Sequence, residues 1–113
     1  MADFRRLDVF NLAHAVTLDL YRATSGFPAI ERFGLVTQIR RAAVSIGSNL
    51  AEGSARSRKE FARYIGIALG SANELEYLLQ VAHDLGFLAG DSVLERVAQV
   101  SRKLVRLRRS VSS

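Results

Sequence analysis

Arginine, serine and carboxylate side chains at helical spacing are the groups in this 113-residue chain that could do chemistry. Along residues 38–53, QIRRAAVSIGSNLAEG, the side chains of Gln38, Arg41, Ser45, Asn49 and Glu52 recur every three or four positions. A helix turns them to one side, rotated by roughly 100° from the apolar stripe Leu35, Ile39, Ala42, Ile46 and Leu50. The polar stripe mixes donors and acceptors with a cation and an anion, and it holds no lysine. A later helical run offers a matching set, Ser71, Asn73 and Glu74. Hydrogen bonds between the two sets would fix the register of two helices or of two subunits. Three readings stay open: a partly buried network of Gln38, Arg41, Ser45, Asn49, Glu52, Ser71 and Glu74; a solvated face; or contact with a ligand or nucleic acid.

Catalysis finds little to work with. Without cysteine there is no thiolate nucleophile and no thiolate metal site. Ser45, Ser48 and Ser71 lie in no nucleophile-elbow motif and beside no histidine in sequence. His14 and His83 lack the glutamate three residues earlier that metal sites in helical bundles use. Asp84 adjoins His83, but sequence neighbours face different sides of a helix. The run GIALGS at 66–71 falls inside a helical pattern and lacks the lysine of a phosphate-binding loop. The expectation is a protein that is not an enzyme, with no catalytic residue, no metal and no cofactor.

The formal charge of +5 and a pI near 10.4 favour an anionic partner such as nucleic acid. The cations fall into three clusters. Arg40 and Arg41 stand on the non-apolar side of the second helix. Arg56, Arg58, Lys59 and Arg63 occupy the following link and the opening turns of the third. Arg102, Lys103, Arg106, Arg108 and Arg109 crowd the end of the fourth. Cations at a helix C-terminus complement its dipole, and Arg102, Arg106 and Arg109 fall opposite the apolar seam, so solvation accounts for the last cluster. Cations at a helix N-terminus oppose the dipole, so stability does not account for the cluster at 56–63. Phosphates would meet both arginine charge and free helix amides there. This is the candidate nucleic-acid patch, with Arg40 and Arg41 expected close by if the second and third helices form a hairpin.

Four apolar repeats position these groups. Val9, Ala13, Val16 and Leu20 mark the first, with Asp8 as its expected N-cap and Thr24-Ser25-Gly26 as its end. Pro28 blocks continuation and suits the first turn of the next element. The second helix is expected from near Ala29, with a break at Gly34, a firm pattern from Leu35 and a left-handed C-cap at Gly53. Ser57 and Glu60 form a capping box before the third, which carries Phe61, Ile65, Ala68, Ala72, Leu75, Leu79 and Ala82. Tyr64, Leu78 and Leu85 widen that face, as contact with both a neighbouring helix and another subunit would require. Gly66 and Gly70 each cost about 1 kcal/mol of helix propensity, and the close approach of another backbone is the expected compensation. Gly86 and Phe87 fit a Schellman ending. A second capping box, Ser92 and Glu95, opens the fourth helix, whose seam is Val93, Val97, Val100, Leu104, Leu107 and Val111. The prediction is one all-α domain spanning 1–113, an antiparallel up-down four-helix bundle. No run reaches membrane-spanning length and the N-terminus has no signal-peptide core, so a cytoplasmic protein is expected.

The motifs Phe27-Pro28, Gln38-Ile39-Arg40-Arg41-Ala42-Ala43, Ser45-Ile46, Ser48-Asn49-Leu50-Ala51-Glu52-Gly53 and Ala68-Leu69-Gly70-Ser71 with Glu74-Leu75 resemble the bacterial four-helix bundle family of 23S rRNA intervening-sequence proteins. The resemblance runs from about Phe4 to Leu107. It implies a ring-like homopentamer. Some members are encoded inside insertions in large-subunit rRNA genes, which implies association with RNA. Relatives include accessory proteins of diversity-generating reverse transcriptases, basic pentamers that engage polymerase and nucleic acid, so a protein-interaction scaffold is the alternative. No catalytic activity is known for the family. Arg41, Ser45, Asn49, Glu52 and Gly53 match its helix 2 signature, and Gly70, Ser71 and Glu74 its helix 3 counterpart. Gly47 stands where proline is frequent and Leu50 replaces a common isoleucine.

Overall fold

A computed structural model describes residues 3–112, and every regular element among them is helical. A 3-10 turn at Phe4–Arg6 leads into α1 (Asp8–Thr24), and a second at Ala29–Glu31 precedes α2 (Leu35–Ser54). Then come α3 (Arg58–Asp84) and α4 (Ser92–Ser112). The links 55–57 and 85–91 are too short for crossovers, so consecutive helices run antiparallel. The outcome is the up-down four-helix bundle that the periodicity predicts, 43 Å long and about 20 Å across, the cross-section measuring 22 × 19 Å.

The apolar stripes are buried where their spacing puts them. Val9, Ala13, Val16 and Leu20 of α1 meet Ile39, Ala42, Ile46 and Leu50 of α2 in one core. Phe61, Ile65, Ala68, Ala72, Leu75, Leu78, Leu79 and Ala82 of α3 join them. From α4 come Val97, Val100 and Leu104, with Val93, Leu107 and Val111 half-buried at its margins. Each fully buried leucine or isoleucine contributes roughly 1.5–3 kcal/mol by leaving water.

Local chemistry sets the helix ends. The Ser57 hydroxyl accepts the Glu60 N–H at 3.2 Å and donates to Glu60 Oε1 at 3.1 Å, which closes the first turn of α3. At the other end the Phe87 N–H reaches the Ala82 carbonyl and the Gly86 N–H the His83 carbonyl, both at 2.9 Å. Gly86 takes φ +81°, so this is the expected Schellman ending, and the Phe87 ring lies 5.6 Å from that of Phe27.

Other expectations are corrected. Leu7, not Asp8, stands at the N-cap of α1, and Asp8 is the first helical residue, its carboxylate paired with Lys103 of α4. That ionic tie between helices takes the carboxylate away from its own backbone. Gly53 is helical, α2 runs on to Ser54, and only Gly86 and Gly90 have positive φ among the described residues. Leu85 is the C-cap of α3 and 58% exposed, so it does not widen the apolar face. Helix α4 begins at Ser92, which leaves Asp91 before it, and Glu95 N–H donates to the Asp91 carbonyl at 3.0 Å. Two residues able to cap stand side by side there, and spacing alone picks the wrong one. Gly66 faces the Arg108 guanidinium, whose Cζ would lie 3.2 Å from an added Cβ, so a side chain and not a backbone fills that space. Nothing lies within 4 Å of a Cβ built on Gly70.

Candidate nucleic-acid interface

Three of the four cations at 56–63, Arg56, Arg58 and Arg63, are held by the structure around them. Arg56 meets Glu52 at 3.1 Å and Glu60 at 3.7 Å. The hydrogen bond to Glu52, with further attraction from Tyr64 and the carboxylates, raises its pKa above the ordinary arginine value. Arg56 and Arg63 both lie over the Tyr64 ring, with Cζ 5.5 and 5.0 Å from its centroid. Arg58 donates to the Ser110 carbonyl at 2.6 Å, where it satisfies the C-terminal turn of α4. The dipole argument therefore changes: a cation that opposes the dipole of α3 complements that of α4. Lys59 is exposed.

Sequence reasoning missed that the third cluster arrives at the same place. Antiparallel packing brings the end of α4 to the start of α3, as the Arg58–Ser110 bond and the Arg108–Gly66 approach show. Phe4 and Leu7 also lie at this end, through the Asp8–Lys103 pair, and carry Arg5 and Arg6 with them. Residues 3–15, 46–70 and 102–112 make up this half of the bundle. They hold eleven of the sixteen lysines and arginines but four of the eleven acids, Asp3, Asp8, Glu52 and Glu60. The half is thus +7, and the rest of the chain −2, within a total of +5. Opposite helix ends far apart in sequence carry these charges, so the asymmetry is legible only once the helix directions are known.

Arg40 and Arg41 do not join this pole. At 1.5 Å per residue, Arg41 stands about 22 Å along α2 from the turn. Arg40 instead caps α1: its Nε donates to Thr24 Oγ1 at 2.9 Å and its Nη2 to the Tyr21 carbonyl at 3.0 Å. Arg41 is exposed beside a shallow polar dent of about 330 Å³, shared with Gln38, Ser45, Ser71 and Glu74.

The polar stripe forms a smaller network than its seven members. Ser45 and Ser71 hydroxyls are 2.8 Å apart between α2 and α3. Asn49 donates to the Ser45 carbonyl at 2.8 Å and to its hydroxyl at 3.1 Å. Gln38, Arg41 and Glu74 are exposed around the dent, and Glu52 turns to Arg56. Burial explains the division: only the residues at the helix–helix seam lose water and need protein partners.

His14 stacks on Phe10, and His83 lies 3.5 Å from Asp84 and 3.4 Å from Asp91. No group of three or more His, Cys, Asp or Glu able to hold a metal occurs among the described residues. No helix among them is long and apolar enough to cross a membrane. An apolar groove of about 470 Å³ between α1 and α2 was not anticipated; Phe10, Leu18, Tyr21 and Val44 line it. Its signal was Leu18 and Val44, apolar residues off the core stripes and 42% and 45% exposed.

Known proteins echo this architecture. One is a crystal structure, at 1.70 Å resolution, of a protein of unknown function from the S23 ribosomal protein family of Bacteroides thetaiotaomicron. It superposes with a TM-score of 0.81 over 89% of this chain and 95% of its own, at 23% identity. At that identity the likeness speaks for the fold. No curated protein matches. The sequence model of the 23S rRNA-intervening sequence protein family matches residues 5–106, which takes in all of α1, α2 and α3 and most of α4. With a match of that extent, the chain belongs to the family of 23S rRNA-intervening sequence proteins.

Proposed function

We propose that this chain acts without catalysis, as a cytoplasmic homo-oligomer that associates with RNA or other nucleic acid through its basic pole. The observation that carries this reading is the gathering of two arginine clusters at one end of the bundle, around the Arg58–Ser110 bond. Arginine forks there offer paired N–H donors to phosphate oxygens without reading base edges. Several poles in one assembly, the pentameric ring implied by the family resemblance, would add their contacts. Helix α3 supports assembly as well: Gly70 faces open space, flanked by Ile67 and Tyr77, 42% and 68% exposed. A neighbouring subunit on that face would offset the propensity cost of the glycine.

The test is RNA binding across a salt series, with mass measured in the same buffers. Binding should weaken steeply with salt. Reversing Lys59, Arg63 and Arg109 to glutamate should abolish it with the assembly mass unchanged. Binding that survives those reversals would sink the basic pole as the interface. The apolar groove between α1 and α2 favours a second reading, a scaffold that docks a protein such as a reverse transcriptase. Absence of RNA binding at low salt by the intact oligomer would select it.

A further inference from the structure

Far from the basic pole, beside the 25–34 connector between α1 and α2, lies a recess of about 370 Å³. Arg32 and Arg40 line it together with the hydroxyls of Thr24 and Ser25, and no carboxylate does. Two cationic side chains thus border one small recess. Arg40 is locked on one edge. Its Nε bonds Thr24 Oγ1, its Nη2 bonds the Tyr21 carbonyl and approaches Ser25 Oγ at 3.4 Å, and its Cζ lies 4.6 Å over the Tyr21 ring. Thr24 is 3% exposed and its hydroxyl donates to the Leu20 carbonyl at 2.6 Å, so the anchor is itself fixed. Arg32 is exposed, with its Cζ 5.7 Å over the Phe33 ring. The Thr24 hydroxyl donates to the Leu20 carbonyl and the Ser25 hydroxyl to the Tyr21 carbonyl at 2.9 Å, which leaves guanidinium N–H groups as the donors for a ligand.

We infer that this recess binds a phosphomonoester or free phosphate, with the guanidinium of Arg40, held in place through Nε and Nη2 and donating through Nη1, as the preorganised cation and Arg32 as the second. A dianion with three accepting oxygens balances two guanidiniums, whereas a carboxylate balances one. The recess is larger than a phosphate alone and leaves room for the group that carries it. The surrounding half of the molecule is net −2, so anion binding here would come from the recess and not from the general field. Ligands with this chemistry have two sources: a small phosphate compound, or the terminal phosphate of a nucleic-acid chain.

The probe is inorganic phosphate, titrated at constant ionic strength into the full chain and followed by amide chemical shifts. Saturable shifts are expected at Thr24, Ser25 and Arg32 through Val36. R32Q should weaken binding about tenfold, the loss of one charged hydrogen-bonding partner, and it touches only an exposed ring. R40K keeps the charge but loses the bonds that fix the cation and its Nη1 donor, and should weaken binding likewise. Shifts that do not saturate, that spread equally to Arg56 and Arg109, or that ignore R32Q would overturn the site. Competition then separates the sources. A 5′-phosphorylated RNA oligomer that displaces phosphate better than adenosine monophosphate does, while its 5′-hydroxyl counterpart fails, identifies a nucleic-acid end. Equal competition by the two phosphorylated compounds identifies the small phosphate. Because the basic pole lies at the other end, charge reversal there leaves these shifts in place, and the two readings can fail separately.

Discussion

Gly53 of α2 lies directly against Tyr64 of α3: a Cβ at Gly53 would stand 2.5 Å from the Tyr64 Cβ and 3.1 Å from Phe61 Cδ1. Tyr64 in turn carries Arg56 and Arg63 on its ring. The glycine thus sets the position of the aromatic platform on which two cations of the basic pole rest. Its backbone is plainly helical, so what it supplies is absence of volume.

Gly53→Ala should therefore destabilise the chain, although alanine is the better helix former by about 1 kcal/mol. Overpacking against the backbone-proximal Cβ of Tyr64 costs about 1–3 kcal/mol, which the propensity gain offsets only in part. Urea unfolding measures the difference. A variant as stable as the parent would mean that α2 and α3 can separate here at no cost.

Gly70→Ala should go the other way. With nothing within 4 Å of the new methyl group, the chain gains about 1 kcal/mol from propensity alone. If α3 packs on a neighbouring subunit at Gly70, the same methyl group weakens the assembly. Native mass and thermal unfolding of the dilute variant together separate these effects. Higher chain stability with a lower assembly mass is the expected pair of results.

Sequence alone exposed the features that are local and periodic. The apolar stripes, the Ser57–Glu60 cap and the Gly86–Phe87 ending each lie within one or two helical turns, and chain geometry fixes them. Gly53 departs from the expected C-cap because glycine serves two ends, positive φ and close approach, and one residue letter does not distinguish them. The 56–63 cations looked unsupported because their support, the carbonyl of Ser110, is 52 residues away. Arg40 and Arg41 stand apart from the 56–63 cluster for a related reason. Adjacent helices place residues together by distance from the turn, and theirs is about two-thirds of the length of α2.

The hydroxyl pair Ser45–Ser71 permits a double-mutant cycle. Ser45→Ala removes the bonds to Ser71 and to Asn49, whereas Ser71→Ala removes only the first. Each should cost about 1 kcal/mol, with Ser45→Ala the larger, and the double variant should cost less than the sum. Additive losses in urea unfolding would show that the two hydroxyls act independently and that the seam holds register by packing alone.

Asp19 of α1 accepts from Arg96 of α4 at 2.6 Å and from Arg22 at 3.2 Å. The hydrogen bond to Arg96 is the main reason that its pKa falls below the ordinary aspartate value of 3.8, with Arg22 adding to it against the opposing effect of burial. A carboxyl group with a depressed folded-state pKa contributes stability that is present above the unfolded value. That contribution is lost as pH falls through the folded value. The window therefore lies below about pH 4, and neutral conditions hold the full effect. In a carboxyl chemical-shift titration, the Asp19 midpoint should lie below the ordinary aspartate value, and in Arg96→Gln it should move back up. The stability gap between the parent and Arg96→Gln should be constant near neutrality and shrink as Asp19 protonates. An Asp19 midpoint indifferent to Arg96→Gln would remove this pair as the acid-sensitive tie between α1 and α4.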